Sequence, residues 1–202
     1  QEGWPTYAID LRGHGESSAI DLSHTRMSDY VEDVCSLVSQ FNQKAMVWGW
    51  SMGGLVALML ASAGEVAGCV ALAPSTPARQ EDPGIELQPG VFTSKEYGIT
   101  SLDPQKQPAM LDLSPEERVL ALSSLGEESH WARCERKRGV VIESLTCPLL
   151  LVTGSRDRFW PSSRYEGLWL PAERIEAEAS HWGLVVSRQV ISSLGPQIVA
   201  WM

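Results

Sequence analysis

Between Ala45 and Gly64 the chain carries no charged side chain, yet Gly49, Ser51, Gly53 and Gly54 interrupt the apolar run. The run is long enough for a membrane span, but a span has no need of three glycines and a serine at its centre. A short buried strand, a tight turn and a helix account for them. The pattern predicts a strand over Ala45–Trp48, a turn around Ser51 and a helix over Gly53–Ala63. The small residues of that helix suit close approach to a sheet.

Flanking segments extend the scheme. Trp4–Leu11 reads as a short apolar strand followed by the glycine-punctuated loop Arg12-Gly13-His14-Gly15. Asp29–Phe41 has helical apolar spacing, with Asp29 and Glu32 as an N-terminal capping pair. Cys69–Leu72 and Pro148–Val152 read as buried strands, and Glu173–Glu178 as a weaker one. Ser114-Pro115-Glu116-Glu117 has the capping pattern of a helix start, a second helix runs from about Ser129 to Arg138, and Ser187–Trp201 is amphipathic with a bend at Pro196. Residues 75–145 are proline-rich and irregular at first. We therefore divide the chain into a core part over 1–74, an inserted cap over 75–145 and a second core part over 146–202. Strands alternating with helices predict an α/β fold around a mainly parallel sheet.

The formal net charge of −9 and pI near 4.9 disfavour nucleic acid and strongly anionic membrane surfaces as partners. The one dense basic stretch, Arg136-Lys137-Arg138, lies beside Glu127, Glu128 and Glu135 and reads as a solvated helix face. Cys35, Cys69, Cys134 and Cys147 form no Cys-x-x-Cys pair or zinc spacing. No basic n-region with an apolar h-region opens the chain. A cytoplasmic protein without metal or other cofactor is the expectation.

A serine hydroxyl becomes a useful nucleophile only with a base, a group that orients the base, and donors for the oxyanion. Gly49-Trp50-Ser51-Met52-Gly53 between strand and helix supplies part of this: the tight turn lifts the serine to the sheet's carboxyl edge and aims the next backbone N–H at the oxyanion. Plainer readings stand beside it. Ser51 can be a small residue at a turn, Asp157 in Gly154-Ser155-Arg156-Asp157 a turn residue, and His181 in Ser180-His181-Trp182-Gly183 a loop histidine.

These stretches, with Asp10-Leu11-Arg12-Gly13-His14-Gly15-Glu16-Ser17, resemble the α/β-hydrolase fold superfamily, among its small esterase-like members. The order Ser, Asp, His is that family's order. The resemblance covers most of the chain and is weakest over about residues 75–145. It implies that Ser51 is the nucleophile, His181 the base, Asp157 the acid that orients it, and the Met52 N–H an oxyanion donor. Trp50, Trp160 and Trp182 adjoin these positions and are read as walls of a pocket for an apolar ester, or equally as core tryptophans. His14 is read as structural, and Asp10 as a loop hydrogen-bonding group. His24 and His130 are read as exposed polar residues. The expected activity is hydrolysis of a small carboxylic ester. The alternative is a non-catalytic ligand-binding or inactive fragment on the same fold.

The sequence departs from the family at its start. Members have further strands before this point, and a loop there gives the second oxyanion donor. In the family's sheet order a missing strand would lie between Trp4–Leu11 and Ala45–Trp48. Three arrangements follow: a fragment of a longer protein, which we favour, a separate chain completing the sheet, or direct pairing of the two strands.

Overall fold

The computed structural model describes residues 4–107, 110 and 112–202. Its strands are β1 Met46–Trp50, β2 Gly68–Leu72, β3 Val91–Phe92, β4 Glu128–Ser129, β5 Leu149–Gly154 and β6 Glu173–Ala177. The helices are α1 Met27–Val38, α2 Met52–Ala63, α3 Pro115–Ser123, α4 His130–Arg138, α5 Gly183–Val186 and α6 Arg188–Trp201. The main sheet is wholly parallel, in the order β1-β2-β5-β6, and β3 and β4 form a separate antiparallel pair. The fold is α/β, as the sequence predicts.

The apolar runs of β2 and β5 follow from burial on both faces. Alternate side chains point to opposite sides of a strand. Cys69, Ala71 and Leu149 pack with α1 and α2, while Val70, Leu72, Leu150 and Val152 pack with α5 and α6. Helix α2 lies between the sheet and α1 and buries Leu55, Val56, Leu58 and Leu60, so its side chains are apolar nearly all round. Residues 75–145 contribute β3, β4, α3 and α4, and a third cluster of Ile99, Met110, Leu113, Ala121 and Leu122 takes Trp182 and Val186 from after β6.

Two sequence readings are corrected here. Residues 4–10 form no strand, and Trp4 and Tyr7 are each 61% exposed. An apolar run becomes a strand only where a ladder accepts it. β1 pairs with β2 alone among the described residues, so direct pairing of 4–11 with β1 does not occur. The cap of α1 also differs. Its helix begins at Met27, and Asp29 is its third residue, reaching back to accept from the Arg26 N–H at 2.8 Å. Elsewhere boundaries move by a residue or two. α3 starts as predicted, with the Ser114 side chain accepting from the Glu117 N–H and Glu117 accepting from the Ser114 N–H. Helix α6 continues through Pro196. All four cysteines are free thiols. No helix among the described residues is long and apolar enough to cross a membrane.

The loop after residue 10 is tied to its surroundings by charge. Arg12 meets Asp33 of α1 at 2.7 Å, and the Arg12 backbone N–H donates to the same carboxylate at 2.9 Å. His14 Nδ1 lies 2.9 Å from the Arg12 carbonyl, which only accepts, so Nδ1 carries a proton. Its Nε2 stands 3.5 Å from Glu128 of β4. That carboxylate raises the imidazole pKa above its ordinary value of 6.5. A raised folded-state pKa gives stability that is complete below the unfolded value and disappears as pH rises through the folded value. His14→Gln is therefore expected to lower the urea midpoint most at about pH 5.5 and least at about pH 9. A gap that widens with pH contradicts this assignment.

Candidate active site

Strand β1 ends at Trp50, and the next residue turns the chain directly into α2. Ser51 does this at φ 54° and ψ −117°, a conformation that side-chain-bearing residues seldom adopt. Backbone hydrogen bonds hold it there. The Ser51 N–H donates to the Leu72 carbonyl at 3.0 Å, and the Ser51 carbonyl accepts from Ser75 at 2.9 Å and Gly54 at 3.1 Å. The loop after β2 is itself bent, with Ala73 at φ 39°. Buried Tyr165 fixes that loop by donating to the Pro74 carbonyl at 2.6 Å. Burial pushes the Tyr165 hydroxyl above its usual range, which keeps it a neutral donor.

The turn makes unequal demands on its glycines. A Cβ on Gly49 would run into the Gly53 carbonyl, well inside 3.0 Å, because strand end and helix start nearly touch. A Cβ on Gly53 would meet nothing within 4 Å. The close approach of strand and helix thus requires glycine at Gly49 and not at Gly53.

Asp157 follows β5 and His181 follows β6, so Ser51, Asp157 and His181 all stand at the carboxyl ends of parallel strands. His181 Nδ1 lies 2.6 Å from Asp157 Oδ2, with both side chains buried. The other carboxylate oxygen, Oδ1, accepts from the Phe159 and Trp160 N–H groups at 2.8 Å each. The carboxylate is thereby fixed on three sides, and such charge-assisted bonds offset its burial. With Nδ1 donating to Asp157, the Nε2 lone pair of a neutral ring is left open. The Ser51 hydroxyl makes no hydrogen bond to it among the described residues.

The elbow at Ser51, where β1 turns into α2, and the loop that carries His181 are nevertheless joined. Trp50 Nε1 donates to the His181 carbonyl at 3.0 Å, and the Trp50 ring lies 4.8 Å from both the His181 and Trp182 rings. Trp160 sits under Arg164, 4.6 Å from ring to guanidinium. Phe159, not singled out from the sequence, stands 5.7 Å from the His181 ring and is 38% exposed. Its position two residues after Asp157 was the available signal. Ser75, also missed, is buried against the elbow with its hydroxyl unpartnered among the described residues. Met52 opens α2, where the first N–H groups have no intrahelical acceptor. A cleft lined by Thr76, Pro77, Arg164, Gly167, Leu168 and Trp169 opens beside the loop after β2. It contains neither Ser51, Asp157 nor His181.

His14 is taken up by Glu128 as described. His24 pairs with Ser23 at 2.9 Å, and His130 lies 3.1 Å from the Gln88 carbonyl. No group of three or more His, Cys, Asp or Glu side chains able to hold a metal occurs among the described residues.

Residues 1–191 match the family described as "Alpha/beta hydrolase family". The chain belongs to that family. A pimeloyl-[acyl-carrier protein] methyl ester esterase of Neisseria meningitidis serogroup B is 41% identical over 59 residues, 29% of this chain and 21% of that protein. The corresponding esterase of Yersinia pseudotuberculosis serotype IB is 29% identical over 195 residues, 93% of this chain and 68% of that protein. Among solved structures, a methylesterase from Arabidopsis superposes with a TM-score of 0.70 at 18% identity, covering 96% of this chain and 86% of that one. The alignments thus span between about a fifth and two thirds of those relatives' length, and the structural likeness establishes the hydrolase fold.

The glycine asymmetry gives a direct check. Gly49→Ala is expected to destabilise this family member by about 2 kcal/mol or more, because backbone cannot yield as a flexible side chain does. Gly53→Ala is expected to stay within about 0.5 kcal/mol of the parent. Urea unfolding of the two variants measures both, and equal losses would contradict the geometry.

Proposed function

We propose that the protein hydrolyses a carboxylic ester of a small, largely apolar substrate through an acyl-enzyme on Ser51. The observation that carries this reading is the His181–Asp157 contact at 2.6 Å, beside a serine held at φ 54° on a strand-to-helix turn. In this reading the His181 Nε2 lone pair takes the Ser51 proton as Oγ attacks the carbonyl carbon. The carbonyl π pair moves to oxygen, and the Met52 N–H donates to that oxyanion. Collapse expels the alkoxide, which takes the proton from His181 and leaves as the alcohol. Water then repeats the sequence on the acyl group, with His181 again as base, and frees the acid. Asp157 keeps Nδ1 protonated and stabilises the imidazolium that forms in each step.

The relatives named as methyl ester esterases support a small leaving alcohol, and the rings of Trp50 and Phe159 beside His181, with Trp182 against Trp50, support an apolar acyl or alcohol group. Residues 75–145 act in this reading as a cap over the site. Trp160 is assigned to the wall beside Asp157.

Hydrolysis of p-nitrophenyl butyrate and of short methyl esters tests the roles. Ser51→Ala is expected to lower kcat by at least about 10³-fold. Asp157→Asn is expected to lower it by about 10⁴-fold, because the histidine loses the partner that sets its tautomer. A Ser51→Ala variant as fast as the parent would refute the assignment. No turnover by a well-folded parent would favour the alternative, a binding protein on the same fold.

A further inference from the structure

Asp112 lies in the 75–145 segment, two residues before the capping serine of α3, and its carboxylate is not used by any of the chemistry above. Its Oδ2 accepts from the Ser180 backbone N–H at 2.6 Å. Ser180 is the residue before His181, and its own hydroxyl accepts from the Gly183 N–H at 3.1 Å. A Cβ on Gly183 would collide with the same Asp112 carboxylate oxygen. One carboxylate therefore rests against both ends of Ser180-His181-Trp182-Gly183, and the absence of a side chain at 183 is what lets it do so. The His181 ring, between those ends, engages Asp157.

The contact is not isolated. Trp182 packs into the cluster built from Leu113, Ala121 and Leu122. Past the loop, the Arg188 N–H donates to the Glu117 carboxylate of α3 at 2.7 Å. Burial costs an ionised group heavily unless its oxygens find donors, yet Oδ1 of Asp112 is buried with no partner among the described residues. An apolar side chain at this place would leave the Ser180 N–H without its acceptor.

We propose that Asp112 is a positioning residue: its carboxylate, supplied from the 75–145 segment, fixes the backbone of the loop that presents His181, so that the imidazole stays seated on Asp157 through turnover. This rests on the reading of His181 as the base. It makes the cap a contributor to catalysis as well as to substrate enclosure. Small displacements of a positioned group lower rate steeply, by as much as about 10²-fold for about 1 Å.

The test compares Asp112→Ala and Asp112→Asn with the parent, using the full chain. The asparagine keeps an oxygen that can accept from the Ser180 N–H. Asp112→Ala is expected to lower kcat on p-nitrophenyl butyrate by about 10–100-fold with KM within about twofold, and Asp112→Asn to recover most of that loss. In NMR spectra, the Ser180 amide is expected to exchange with solvent at least about tenfold faster in Asp112→Ala, and the low-field His181 Nδ1 proton to broaden. Both are expected to remain parental in Asp112→Asn. An Asp112→Ala variant with parental kcat and parental Ser180 exchange overturns the proposal. So does a rise in KM alone, which would mark a substrate contact, or a folded Asp112→Asn as impaired as the alanine variant. If Asp112→Ala does not fold, the asparagine variant decides by its kcat. If the parent hydrolyses no ester, the hydrolase reading fails separately, and Ser180 exchange with the His181 proton signal still decides the role of Asp112.

Discussion

The site depends on one close approach, the end of β1 against the start of α2. Gly49 lies so near the Gly53 carbonyl that a methyl group cannot be accommodated. Chain direction must reverse within a single residue, and Ser51 absorbs the change at φ 54°. Backbone in that region stores about 1–3 kcal/mol for a non-glycine residue. Neighbouring bonds offset it: Leu72 accepts from Ser51, and Ser75 and Gly54 donate to it. Because Leu72 and Ser75 flank the bend after β2, the elbow is braced by the adjacent strand of the sheet and not by its own helix alone.

The same economy governs the histidine. Parallel strands β5 and β6 end side by side, with Gly154 opposite Ala177. The loops that follow bring Asp157 to His181, and each loop is pinned by hydrogen bonds to a carboxylate: Asp157 receives the N–H groups of Phe159 and Trp160, and Asp112 receives that of Ser180. Trp50 closes the circuit by donating from the elbow to the His181 carbonyl. Three loops with separate origins in the sequence thus meet through backbone hydrogen bonds as well as through side-chain chemistry.

How much of this could be read in advance follows from the range of each interaction. The elbow, β5 and the start of α3 are local. Gly49, the run Leu149–Val152 and the Ser114–Glu117 cap declare themselves within a few residues. Trp4–Leu11 looked equally local and is not a strand, since strand character belongs to a ladder and residues 4–10 have none. Asp29 resembles a cap in the sequence but is the third helical residue, because the helix start at Met27 has no Ser, Thr, Asp or Asn immediately before it. Asp112 and Phe159 were missed for a different reason. Asp112 acts 68 residues away in sequence, and no spacing rule reaches that far. The indifference of Gly53 to a side chain was likewise invisible, because a motif records which glycines recur together and not which one the backbone requires.

The geometry around Ser51 is proposed to make its hydroxyl a nucleophile. A fluorophosphonate probe followed by peptide mass spectrometry tests it most directly, since the probe reports the activated serine without any assumption about substrate. One probe per chain is expected, located on Ser51, with labelling lost in Ser51→Ala. A folded chain that remains unlabelled, or one labelled at another serine such as Ser75, would contradict it.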